Sequence, residues 1–193
     1  MTNRLYYKLN LNFDFLKDPN FPFKHTESID TEWLVKTESA DHLTNKMRAF
    51  AVAHNFAIHS YKGPDTFMFF RGDPAHDLTV HVDRGPVWGI NYICGSKDSD
   101  MIWYRFKDGY SESDGFELPV TDGSASYRSF HDYQVEEIAR ANLEGLYLVR
   151  IDLPHSVVNR DVNRARYCLA VKDCNNRWTW EETVNKFKDY IDA

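Results

Sequence analysis

The stretch HVDRGPVWGINY, residues 81–92, sets a histidine and an aspartate two positions apart, follows them with a Gly-Pro turn signal and then returns to an apolar run. It reads as strand, turn, strand. His81-Val82-Asp83 is either a metal-binding arm or a polar strand end, because both are built from these residue types. The rest of the chain has to separate the two.

A chain of 193 residues, 42% hydrophobic and 15% aromatic, is long enough to bury a core without staples, and its composition is that of a globular protein. No repeat, low-complexity tract or linker divides it, so residues 1–193 are expected to form a single domain. The formal net charge of −6, with acidic residues gathered at DGYSESDGFE (108–117), makes nucleic acid an unlikely partner. That acidic segment reads as a solvated loop, with a lid near a barrel mouth as the alternative. Three cysteines, with no CxxC pair among them, fit reduced thiols of a cytoplasmic protein. The N-terminus lacks an apolar signal core and no run approaches the roughly 20 apolar residues of a membrane span, so no membrane is expected. Nothing in the sequence assigns an oligomeric state.

Two segments carry helical periodicity, residues 40–54 and 180–191, the second opened by the capping-box pattern Thr179…Glu182. Nearly everything else reads as short strands: RLYYKLNL, FAIHSY, TFMFF, LTVHV, VWGINYI, MIWYRF, LYLVRI, HSVV and RYCLAV. A mainly β fold with flanking helices follows, a barrel or two-sheet roll of the kind that holds ligands in its mouth.

A second segment, IDLPHSVVNRDVNRARYCLAVK (151–172), supplies what the opening stretch lacks. His155 opens a β-branched run, Asn159 to Asn163 read as a turn, and Arg166 begins the next strand, so the pair looks like a hairpin. Strand alternation puts Arg166, Cys168 and Ala170 on one face, small side chains beneath a single arginine, which predicts an open volume with a cation at its end. His81, Asp83 and His155 match the two-histidine, one-carboxylate set that leaves positions open on iron(II). They are expected to converge on one point. Arg164 shares the parity of Arg166, and Arg160 can reach inward from the turn, so both remain alternatives to it. Asn91 lies on a small-residue face with Gly89 and either touches a ligand or is structural. His76 and His131 are expected to be exposed, and Trp88, Trp103 and Tyr104 are either core or a substrate wall.

The order His-x-Asp, long insert, second histidine and then an arginine resembles the iron(II)/2-oxoglutarate-dependent oxygenases, and GINYI and PHSVVN resemble in particular their aspartyl/asparaginyl β-hydroxylase-like branch. The resemblance covers about residues 77–172. It implies a double-stranded β-helix, a cupin-like jelly roll. It implies iron(II) on His81, Asp83 and His155, with Arg166 pairing with the distal carboxylate of 2-oxoglutarate; Asn91 is the expected further cosubstrate contact on the strength of its small-residue face alone. The implied activity is hydroxylation of a small-molecule or peptide substrate by dioxygen. This chain departs from the branch at Asp83, where those hydroxylases have glycine, so their substrate class is not implied. A cupin-like metal-binding or structural module without 2-oxoglutarate chemistry is the alternative.

Overall fold

The computed structural model describes residues 4–10, 67–83, 85, 87–119, 126–172 and 178–192. The expected helix at 40–54 and strand at 56–61 lie outside the described residues. Within them run β1 (Tyr6–Lys8), β2 (Phe67–Gly72), β3 (His76–Asp83), β4 (Trp88–Gly95), β5 (Ser99–Phe106), β6 (Phe116–Pro119), β7 (Ser126–Ser129), β8 (Val135–Ala141), β9 (Gly145–Arg150), β10 (His155–Asn159), β11 (Arg166–Lys172) and the helix α1 (Trp180–Phe187).

The strands form two antiparallel sheets, ordered β1-β9-β4-β11-β2 and β6-β7-β3-β10-β5-β8. Four of the pairings are nested: β5 with β8, β4 with β9, β3 with β10 and β2 with β11. One long antiparallel ribbon is therefore folded back and forth between the sheets, with β5 and β8 at its closed end. This is the double-stranded β-helix, or jelly roll. β1 extends the first sheet beside β9, and the β6–β7 hairpin extends the second beside β3.

Direct cross-strand partners share a face. On the first sheet, Cys168 stands opposite Ile93, and Ala170 opposite Asn91. On the second, His155 stands opposite Trp103, and Met101 opposite Ala141. Ile93, Cys168, Ala170, Met101, Trp103 and Ala141 belong to one buried cluster, so these are the two faces that meet. Trp103 is fully buried at its centre, stacked on Tyr6 at 5.5 Å and donating its indole N–H to the Arg150 carbonyl at 2.8 Å. The outer face of the first sheet is covered by α1, where Phe187 meets Trp88 edge-on at 5.4 Å. Thr179 and Glu182 close the expected capping box reciprocally. No helix among the described residues is long and apolar enough to cross a membrane.

One expectation is corrected. The segment 155–172 is no hairpin: β10 lies in the second sheet and β11 in the first. The turn is real, but alternation reports which side chains share a face and carries no information about which strand is the neighbour. The small residues Cys168 and Ala170 share one cluster with Trp103 and Met101 of the facing sheet, which narrows the space on their face.

The turn that ends β10 is clasped by Asn159, whose buried amide nitrogen donates to the carbonyls of Gly72 (3.3 Å), Asp73 (2.9 Å) and Arg164 (2.9 Å). Two N–H bonds thus serve three acceptors, and the side-chain oxygen accepts from the Asp161 N–H at 3.3 Å. Asn159→Asp would turn an acceptor, charged at neutral pH, toward three carbonyls. We expect it to cost about 3–5 kcal/mol, the scale of an uncompensated buried charge, read as a lower urea midpoint with unchanged slope. A midpoint equal to wild type would show that the clasp contributes nothing.

Candidate metal centre

β3 delivers His81 and Asp83 to the same face because they are two residues apart at its end, and all of Val80 to Asp83 are buried. β10 delivers His155 as its first residue, directly opposite His81. The pairing then slips: between the partners His155/His81 and Val157/Leu78, β3 spends one residue more than β10. Such a bulge twists a strand locally and re-aims its side chains.

The three side chains do converge. One ligand atom from each of His81, Asp83 and His155 lies within 4.8 Å of the others, and all three residues are buried. The Asp83 Oδ2 stands 3.8 Å from His155 Nε2, and the imidazole rings are 4.4 Å apart at 55°. His81 Nδ1 lies 2.8 Å from the Thr79 carbonyl, and His155 Nδ1 lies 2.9 Å from that of Leu153. A carbonyl only accepts, so each Nδ1 carries the hydrogen, which leaves Nε2 as the atom whose lone pair can bind a metal. Backbone carbonyls that fix the tautomer in this way are the usual outer support of a metal-binding histidine. Adjacent donors on an octahedral ion stand about 3 Å apart, so small torsional shifts bring this set onto one cation. The His-Asp-His group can hold a metal ion.

Arg166 projects from the first sheet on the face of Cys168 and Ala170, flanked in register by Gly72 and Gly95. It is buried, and burial lowers its pKa below the usual arginine value, an effect opposed by a hydrogen bond to Cys168. No ion pair to a carboxylate within the described residues accompanies it. Its rivals point elsewhere: Arg164 is exposed and precedes the strand, while Arg160 pairs with Asp98 and Asp100. Gly95 helps to fix this end of β11. Its φ is +98°, and a Cβ there would fall 2.3 Å from the Ala165 carbonyl oxygen, so only glycine fits. Asn91 is buried on the inner face, its Oδ1 without a hydrogen-bond partner among the described residues.

The remaining candidates are structural. Trp103 is core, Trp88 packs beneath α1, and the Tyr104 hydroxyl lies 3.0 Å from Ser156 Oγ, away from the triad. His76 and His131 are exposed, as expected. Burial raises the Cys94 thiol to about 12, so it is neutral at physiological pH and no nucleophile. Residues 112–114 of the acidic segment form an exposed 3-10 turn, and β6 begins at Phe116.

Sequence reasoning missed the wall beside His81. On β7, Ser129 stands opposite His81 and Tyr127 opposite Asp83, and the Tyr127 ring meets that of His81 edge-on at 4.9 Å. The signal was the alternation in Ser126-Tyr127-Arg128-Ser129, too short and polar to register as a strand.

No family profile matches the sequence and no curated protein matches it. Among solved structures, E. coli ycfD aligns at a TM-score of 0.37 and 14% identity over 81% of this chain; the alignment spans 35% of that chain, about a third of its length. A Pseudomonas putida prolyl-4-hydroxylase aligns at 0.31 and 17% identity, over 74% of this chain and 71% of its own. The polyketide cyclase RemF from Streptomyces resistomycificus aligns at 0.27 and 13%, over 65% and 74%. Scores below 0.5 carry over no residue, substrate or reaction.

Proposed function

We propose that this chain is an iron(II)- and 2-oxoglutarate-dependent oxygenase that hydroxylates a small-molecule or peptide substrate. The observation that carries the reading is the buried convergence of His81, Asp83 and His155, with both Nδ1 atoms engaged by carbonyls. Two imidazoles and one carboxylate suit iron(II) and leave positions for a chelating cosubstrate and dioxygen. Arg166 would take the 5-carboxylate of 2-oxoglutarate, since a buried guanidinium whose charge is disfavoured by desolvation gains from an anion in bidentate contact. Asn91 would add its side-chain amide to the same ligand.

Bound iron and 2-oxoglutarate would supply the oxidising power: dioxygen, 2-oxoglutarate and a C–H bond become succinate, carbon dioxide and a C–OH group. The protein's share is to hold the ligands in orientation and keep water out. The Asp83 carboxylate supports a donor set like that of the wider superfamily rather than of the aspartyl/asparaginyl branch, whose substrates are therefore not part of the proposal.

A second reading, a cupin-like metal-binding module without this chemistry, is favoured by the packed cluster around Cys168 and Ala170, which narrows the room beneath Arg166. Adding iron(II) and then 2-oxoglutarate without oxygen decides between them. The oxygenase develops the visible charge-transfer band of the chelate. Metal binding without that band selects the module, and no metal binding sinks both.

A further inference from the structure

Ser129 is fully buried, and its Oγ has no hydrogen-bond partner among the described residues. A buried hydroxyl left unpaired costs free energy, so it needs a reason. Two other buried polar atoms in this condition have local settings of their own, and Asn91 Oδ1 has already been assigned to the ligand. The Trp88 indole N–H lies in the apolar layer beneath α1, and Arg128, unpaired at Nε, spends its terminal nitrogen on the carbonyls of Ser113 (2.6 Å) and Gly115 (3.1 Å). Ser129 has no second polar atom to use.

Its position distinguishes it further. As the direct partner of His81, it faces the side on which the metal-binding atoms gather, with Cβ atoms of such pairs about 5 Å apart. The neighbouring strand holds it in place. A Cβ on Gly115 would lie 2.5 Å from Phe130 and 2.9 Å from the Ser129 carbonyl oxygen, so the segment entering β6 packs tightly on β7.

We propose that Ser129 is a ligand-positioning residue, its hydroxyl donating a hydrogen bond to an oxygen atom bound at the metal. This deepens the oxygenase reading and rests on it. The shared chemistry is a metal-bound oxygen, either a water or a carboxylate oxygen of the cosubstrate. The proposal has a signature that a structural role lacks. Removing the hydroxyl relieves the ligand-free protein of an unpaired polar group, while it weakens what binds.

The test uses the full chain loaded with cobalt(II), whose visible absorption reports its ligands, and compares wild type, Ser129→Ala and Ser156→Ala. Ser156 is the control, a buried serine on the same sheet whose hydroxyl meets Tyr104 on the opposite face. Ser129→Ala is expected to melt at or above the wild-type temperature. A cobalt spectrum altered before any addition identifies water as the bound oxygen. An unaltered spectrum with 2-oxoglutarate affinity lowered about tenfold or more identifies the carboxylate. Ser156→Ala should melt lower and bind as wild type does. The proposal is overturned if Ser129→Ala matches wild type in spectrum and affinity, whatever its melting temperature. If wild type itself gives no cobalt spectrum, the metal reading fails first and the role of Ser129 with it.

Discussion

His81→Ala is expected to lower affinity for iron(II) by more than about 100-fold while the chain stays folded. Loss of an outer-sphere partner of a metal ligand alone costs 10- to 100-fold in related sites, and this change removes a ligand itself. Folding survives because His81 belongs to the site wall rather than to either apolar cluster, and its strand is held on both sides by β7 and β10. The stability cost should be that of an ordinary buried substitution, about 1–3 kcal/mol. Iron titration beside a denaturant curve reads both quantities. Wild-type affinity in the variant would remove His81 from the donor set, and global unfolding would make it a structural histidine.

Arg166→Lys should weaken 2-oxoglutarate binding to the iron-loaded protein about tenfold to a hundredfold, the range for losing one charge-assisted hydrogen bond. Lysine keeps the charge but not the planar two-point contact. Iron affinity should hardly move, because Arg166 stands on the other sheet from the histidines. Arg164→Lys is the control, being exposed and engaged through its backbone carbonyl by Asn159. Unchanged cosubstrate affinity in Arg166→Lys would take away the anchor for the 5-carboxylate, and a loss confined to Arg164→Lys would move it to the turn.

How much of this was legible in the sequence follows from the range of each signal. Strand alternation is local, so the shared face of His81 and Asp83, the start of β11 at Arg166 and the inward placement of Asn91 could be read from neighbouring residues. The Thr179…Glu182 cap is equally local. Partnership between strands is not: that β10 joins β3 and β5 while β11 joins β2 and β4 depends on residues more than 50 positions away. Packing density was illegible for the same reason. Small residues at 168 and 170 promise room, but that Trp103 from the other sheet joins their cluster cannot be read locally. β7 escaped because four residues with one aromatic carry too little periodicity, although they flank the metal site.

The nested ribbon also has a consequence for how the site comes into being. His81 and His155 are 74 positions apart (155 − 81), yet face each other across a single pair of strands. Closing so long a loop in one step would carry the full chain-entropy cost, and folds dominated by distant contacts form slowly for this reason. A ribbon whose closed end is β5·β8 offers a cheaper route, because each pair formed shortens the next loop: β4·β9, then β3·β10, then β2·β11. On that route the two histidines meet only after the inner half has zipped. A chain still emerging from synthesis, or one stalled at its first pairs, has only His81 and Asp83 of its three donors together and no arginine opposite them, so metal capture by both imidazoles marks a roll that is already nearly closed.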